Sequence, residues 1–226
     1  EGTATITATS GSASATASVT VAQVPATLSL SDSTLTFASL ADTTQLTATV
    51  TDANGETISG ATVTWATSDA AVATVSSSGL VTSIADGTAT ITATSGSATG
   101  TAAVTVGQVA ASIALSDTVL TFALLGDTTQ LSATVKDAGG ATMASATVTW
   151  ATSDTAVATV SSSGLVTSVA DGTATITATS GALTGTAAVT VGQVAASIAL
   201  ADTVLTFALL ADTTQLSATV KDAGGA

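Results

Sequence analysis

The chain contains no cysteine, histidine, arginine or tyrosine, and its 226 residues include only two lysines, two tryptophans, three phenylalanines and one proline. Each absence closes a line of chemistry. Without cysteine or histidine there is no thiolate or imidazole to hold zinc, haem or an iron–sulfur cluster, and no histidine general base. Disulfide stapling is excluded on the same ground. Basic residues are nearly missing, so the net charge is −13, a balance that repels nucleic acid and anionic lipid. Charged residues make up only 8% of the chain, against roughly 25% in an average soluble domain. The mean hydropathy is positive at +0.62, yet no apolar run exceeds five residues. A spanning helix needs about 20, so no membrane span is expected in this segment.

Threonine, alanine and serine fill the space, with 51, 49 and 28 residues respectively. Such a bias reads as low complexity until the chain is tested for internal repetition. Gly2, Gly87 and Gly172 each open the string GTATITATSG, 85 residues apart. Trp65 and Trp150 keep that spacing, as do Phe37, Phe122 and Phe207. Val106–Ala141 and Val191–Ala226 differ at two of 36 positions, Ser116 against Ala201 and Gly126 against Ala211. An 85-residue period suits one small domain strung in tandem.

Within a period the signal is strand. Thr88–Thr94 alternates strictly, placing Ala89, Ile91 and Ala93 on one face and threonines on the other. Gln130–Val135 alternates with Leu131, Ala133 and Val135 inward, and Thr147–Trp150 with Val148 and Trp150 inward. A period of two with one apolar face is a half-buried antiparallel strand. Turn strings punctuate the pattern at Asp52–Gly55, Asp137–Gly140, Ser161–Gly164 and Asp171–Gly172. Seven strands are expected for the copy at 107–191: 111–116 with 119–122, then 128–136, 146–152, 157–160, 165–169, 172–179 and 184–191. The fold class is therefore all-β, a tandem of immunoglobulin-like sandwiches. Phe37, Trp65, Phe122, Trp150 and Phe207 are the expected large core residues, joined in the second copy by Leu115, Leu120, Leu131, Val135, Val148, Val157, Val160, Leu165, Ile176 and Val189.

The ordered strings QLTATV, VTWATSDAAVATV, GLVT and GTATITATSG…AAVTV resemble the bacterial immunoglobulin-like group 2 repeat. The match runs over essentially the whole chain, in the same order in every copy. Members of that family resemble surface proteins such as intimin- and invasin-like adhesins. The resemblance implies a stalk-like repeat on the bacterial cell surface and no catalytic residue.

The expected divisions are residues 1–21, the closing strands of one copy; 22–106 and 107–191, two complete copies; and 192–226, the opening strands of another. Because the divisions cut through copies, an excerpt from a longer tandem array is expected. The junctions Ala22–Ala26, Gly107–Ala111 and Gly192–Ala196 are too short for a loose tether, so neighbouring repeats of the same chain are the first expected partners.

The acidic residues carry the one cofactor candidate. Loops after odd-numbered strands share a pole, which places Asp127, Asp154 and Asp171 where the chain leaves the repeat, with Asp222 of the next copy facing them. Carboxylates so gathered are candidate Ca²⁺ ligands, since Ca²⁺ takes six to eight oxygens; the favoured reading is an Asx turn or hairpin cap at each Asp, and no cofactor. Asp52-Ala-Asn-Gly-Glu56 has the look of a calcium loop, but Asp137-Ala-Gly-Gly-Ala141 lacks two of its oxygen ligands, and a hairpin turn accounts for both. The threonine ladders are wetted strand faces, with contact to glycan or ice and O-glycosylation as the alternatives. Serines such as Ser161–Ser163 have no histidine base, and Lys136, the only basic partner in its copy, is Thr51 in the first copy, so no enzymatic activity is expected. The expected role is a stalk, spacer or filament shaft outside the cell, with lateral or end-to-end self-association in a fibre. The alternative is an adhesive module that recognises glycan or a host receptor through loops or threonine faces.

Overall fold

The computed structural model describes residues 2–225, and all regular structure among them is β. The chain divides into two compact units, Glu1–Val109 with Gly139–Ala141, and Ala110–Ala138 with Thr142–Ala226.

In the first unit the strands are β1 (Gly2–Ser10), β2 (Ala13–Val21), β3 (Thr27–Leu30), β4 (Thr34–Phe37), β5 (Thr43–Gln45) and β6 (Ala48–Thr51). They continue as β7 (Thr64–Thr67), β8 (Ala73–Val75), β9 (Leu80–Ser83), β10 (Gly87–Ser95) and β11 (Ala98–Val106). β1 and β2 form a hairpin, and the complete repeat comes next as a four-stranded sheet β4-β11-β10-β7 with the smaller arrays β3-β6 and β5-β9-β8. The second unit repeats the plan with β12 (Ala110–Leu115), β13 (Val119–Phe122), β14 (Thr128–Gln130), β15 (Ala133–Asp137) and β16 (Thr149–Thr152). After these come β17 (Ala158–Val160), β18 (Leu165–Ser168), β19 (Gly172–Ser180), β20 (Leu183–Val191), β21 (Ala195–Leu200) and β22 (Ala218–Asp222). Its sheets are β13-β20-β19-β16, β14-β18-β17, β12-β15 and β21-β22.

Two of the seven expected strands change partners midway and so count as two each. β12 pairs antiparallel with β15, whereas β13 runs parallel to β20 in the opposite sheet. The expected strand 128–136 breaks at Leu131 and Ser132, since β14 belongs to β18 and β15 to β12. Leu131 N–H still donates to the Gly164 carbonyl at 2.9 Å, so the break leaves that donor satisfied. Strand switching of this kind closes a sandwich without a long connection.

Each repeat has a core of alternating inward residues. Leu46, Val81 and Ile91 are fully buried in the first, and Leu131, Val166 and Ile176 in the second. Phe37 and Phe122 are both 4% exposed, and half-buried Trp65 and Trp150 pack against their clusters. Leu165 departs from expectation. It is 38% exposed, and its neighbour Val166 fills the core instead. In the β14–β18 register Val166 sits opposite Thr129 and Leu165 opposite Gln130, which turns Leu165 to the wet face. Phe207 also departs, at 50% exposure. Val119–Phe122 of the second repeat run parallel to Ala188–Val191, whereas among the described residues no strand pairs with the 204–207 segment.

Trp65 and Trp150 owe their seats to glycine. Gly79 and Gly164 adopt φ of 86° and 87°, the left-handed region that only glycine enters freely. A Cβ on Gly164 would lie 2.5 Å from the Leu131 carbonyl oxygen and 2.9 Å from Trp150 Cζ2. The string Ser-Ser-Ser-Gly is therefore both a turn and the floor beneath the indole.

Candidate functional site

Near its start and at its end a repeat is tied together by parallel pairing. Thr34–Phe37 of β4 align with Ala103–Val106 of β11, and Val119–Phe122 of β13 with Ala188–Val191 of β20. Ala103 N–H donates to the Ser33 carbonyl at 2.9 Å and Gly107 N–H to Phe37 at 3.0 Å; Ala188 to Thr118 at 2.8 Å and Gly192 to Phe122 at 2.9 Å repeat the pattern. Alternation makes this possible, since Leu35, Phe37, Val104 and Val106 all point inward and lock the register.

The junction residues continue that ladder. In the second unit three successive amides donate back to the repeat just completed: Gly192 to Phe122 O at 2.9 Å, Gln193 to Asp171 Oδ1 at 2.8 Å and Val194 to Ala123 O at 3.3 Å. In the first unit Gly107, Gln108 and Val109 do the same toward Phe37 O, Asp86 Oδ1 and Ala38 O, at 3.0, 2.8 and 2.9 Å. The Gln193 side chain points the other way, its amide donating to Asp222 Oδ2 at 3.0 Å. Gln23 makes the corresponding bond to Asp52 Oδ2 at 3.2 Å.

The acidic residues thus have protein partners. Asp154 Oδ1 accepts the Ala156 N–H at 2.8 Å in an Asx turn. Asp127 acts through its carbonyl, which accepts the Ser168 N–H at 3.0 Å and the Ser168 hydroxyl at 3.3 Å. Asp171 and Asp222 are brought together through Gln193. Among the described residues no three acidic side chains gather as a metal ion would need. Asp52 closes its own turn, taking the Asn54 and Glu56 amides on Oδ1 at 2.9 and 3.0 Å. The Glu56 N–H, followed by the Gln23 amide, holds the Asp52 carboxyl below its ordinary value.

Buried Ser83 and Ser168 were not singled out by sequence reasoning. Ser168 Oγ donates to the Leu124 carbonyl at 2.8 Å and Ser83 Oγ to Ser39 at 2.9 Å, tying the loop after the parallel strand to the sheet behind it. A serine among alanines gives no sequence signal for this; the one clue is that it occupies an inward position of an alternating strand. The outward faces are the threonine ladders. Thr88 sits opposite Thr105, Thr92 opposite Thr101 and Thr94 opposite Thr99.

Fold and ladder together define tandem immunoglobulin-like β-sandwich repeats. The family model for the bacterial Ig-like domain (group 2) matches residues 28–106 and 109–191, and the chain belongs to that family. Among solved structures, the S-layer protein rSbsC(31-844) is 27% identical over 90% of this chain and 32% of its own, with a TM-score of 0.39. SbsC domains 4 and 5 are 28% identical over 75% of this chain and 99% of theirs, at 0.38. The Escherichia coli adhesin FdeC is 19% identical over 79% of this chain and 68% of its own, also at 0.38. The chain thus spans about a third of the rSbsC(31-844) structure. No curated protein sequence matches it. No helix among the described residues is long and apolar enough to cross a membrane.

Proposed function

We propose that the chain is a structural repeat region of a long extracellular bacterial surface protein, serving as stalk, spacer or filament shaft. The observation that carries this reading is the parallel pairing of β4 with β11 and of β13 with β20. Tension along the chain enters a repeat near the first strand of each pair and leaves at the second. Antiparallel pairs pulled from one end open one hydrogen bond at a time. Parallel pairs pulled from opposite ends are sheared, so their bonds and the interdigitated Leu35, Phe37, Val104 and Val106 must yield together. Near-identity of the copies fits the same role, because length is the property that duplication supplies.

No cofactor is needed for this. Asp171 Oδ1 and Asp222 Oδ2 each accept a Gln193 donor and Asp154 Oδ1 accepts an amide of its own turn, so each carboxylate already has a protein partner with which Ca²⁺ would compete. Equal melting temperatures in Ca²⁺ and in EDTA are expected; a higher value with Ca²⁺ would restore the cation as a ligand. The adhesive reading is favoured by one feature, a groove of about 350 Å³ whose lining includes Gln23, Pro25, Ser59, Thr62 and Ser95. A glycan array probed with the whole chain separates the two. The spacer reading expects no selective binding, and a single saturable glycan class would replace it with adhesion. Lateral or end-to-end self-association belongs to the spacer proposal and is checked by sedimentation across concentration.

A further inference from the structure

We propose that Gln193 is a positioning residue that fixes the direction in which the next repeat leaves the one before it. The backbone sets this up. Gly192, Gln193 and Val194 all spend their amide protons on the preceding repeat, two on the carbonyls of Phe122 and Ala123 and one on the Asp171 carboxylate. The junction is therefore an extension of that repeat's last strand rather than a tether. Strand β21 starts at Ala195, one residue after Val194, so no slack remains between the fixed segment and the next repeat.

A residue so held by its backbone can use its side chain to orient the next strand pair. Gln193 does this by donating from Nε2 to Asp222 Oδ2 at 3.0 Å, on the last residue of β22. β22 is paired with β21 through Ile198↔Val220 and Ala199↔Thr219, so holding Asp222 holds the hairpin-like pair rather than one strand. Asp222 is 6% exposed while most of its strand is open to solvent, so the contact is shielded from competing water. One residue thereby links two carboxylates, Asp171 behind it and Asp222 ahead. The side chain must be an uncharged donor of that length: asparagine is one methylene short, and glutamate would bring a third negative charge against the other two. In the first unit Gln23 and Asp52 form the forward half of the same device, and Gln108 and Asp86 the backward half. This deepens the spacer reading, because a shaft whose joints are pinned transmits direction as well as length.

The chain has no cysteine, so a clean pair of spin labels can be placed at Thr186→Cys and Thr219→Cys, both exposed, one on each side of the joint. Double electron–electron resonance on the whole chain is expected to give one narrow distance distribution. Gln193→Ala and Gln193→Asn should widen it at least twofold, and Gln193→Glu should widen it further at pH 7. The Trp150 fluorescence melt should stay unchanged in all three, because Gln193 lies outside the repeat's core; that separates a loosened joint from an unfolded repeat. A broad distribution in the parent chain, or equal widths in parent and variants, overturns the proposal. Neither result would touch the resistance of a repeat to tension, so failure here is distinguishable from failure of the spacer reading.

Discussion

The two complete repeats share one core and differ at one pole. The central cluster is the same residue for residue at the 85-residue offset, from Leu35 and Leu120 through Phe37 and Phe122 to Val106 and Val191. The first repeat adds a second cluster of Leu28, Val50, Ile58, Ala93 and Ala98. In the second repeat those positions are Ile113, Val135, Met143, Ala178 and Leu183, of which Ile113, Met143 and Leu183 are only half-buried. The centre admits no change because it is enclosed between the sheets. The pole tolerates exchange because one side of it is open.

The first strands differ as well. β12 begins at Ala110 and passes an irregularity before Ser112, whereas β3 begins only at Thr27. Pro25 stands where the second repeat has Ala110, and a proline has no N–H to give the ladder. A third difference is a single methyl group. Ala41 sits at φ 61°, and its counterpart Gly126 at φ 79°. Both donate their N–H to the buried serine's strand, Ser83 O or Ser168 O, at 3.0 Å. The first repeat therefore holds an alanine in a backbone state that costs it about 1–2 kcal/mol.

The sharpest way to break the equivalence of the two cores is at the glycine floor beneath the tryptophan. Gly164→Ala meets both a left-handed φ and the Trp150 ring, and should cost about 2–4 kcal/mol. Gly140→Ala, at φ 86° with open space around it, should cost only about 1 kcal/mol. Equal losses in urea titrations would refute the packing role of Gly164. Trp150→Ala should cost about 3 kcal/mol, and a variant that melts like the parent would contradict the core itself. At the variable pole, Leu28→Ala should cost about 2–3 kcal/mol and Ile113→Ala roughly half as much. Trp65 and Trp150, one in each repeat, provide separate fluorescence reports. Smaller still, Ala41→Gly should stabilise the first repeat by about 1 kcal/mol and Gly126→Ala should destabilise the second by as much; effects of the same sign would remove the strain argument.

The smallest effect is a pH dependence. Asp52 has its folded pKa lowered, so its contribution is present above the unfolded value of 3.8 and lost as pH falls through the folded one. Asp52→Asn should flatten stability against pH in that acid window for the first repeat. An unchanged acid limb would mean the Glu56 and Gln23 bonds do not favour the charged form.

The repeat and its strands were legible because alternation is written plainly in strings such as Thr88–Thr94, where every inward residue is apolar. Leu165 was not, because it adjoins Val166 and two adjacent apolar residues leave the phase of a strand open. Register chose Val166, along with the Ser168 hydroxyl that needs the Leu124 carbonyl. The breaks between β12 and β13 and between β14 and β15 were equally hidden, since a strand that changes sheets keeps its alternation. At the junction, the alternation of strand direction suggests gathered carboxylates. It gave no sign that a glutamine 29 positions from Asp222 in the chain would stand between them.

Stretching single chains by their ends tests the central claim most directly, that each repeat is a self-sufficient sandwich built to resist tension by shear. Two unfolding events of equal length are predicted, each releasing one repeat of 85 residues. That corresponds to about 30 nm of extended chain less the folded span. Leu120→Pro, which removes an N–H that β13 gives to β20, should lower the force of one event and leave the other unchanged. Smooth extension without discrete events, or events that ignore the β13 substitution, would contradict that claim.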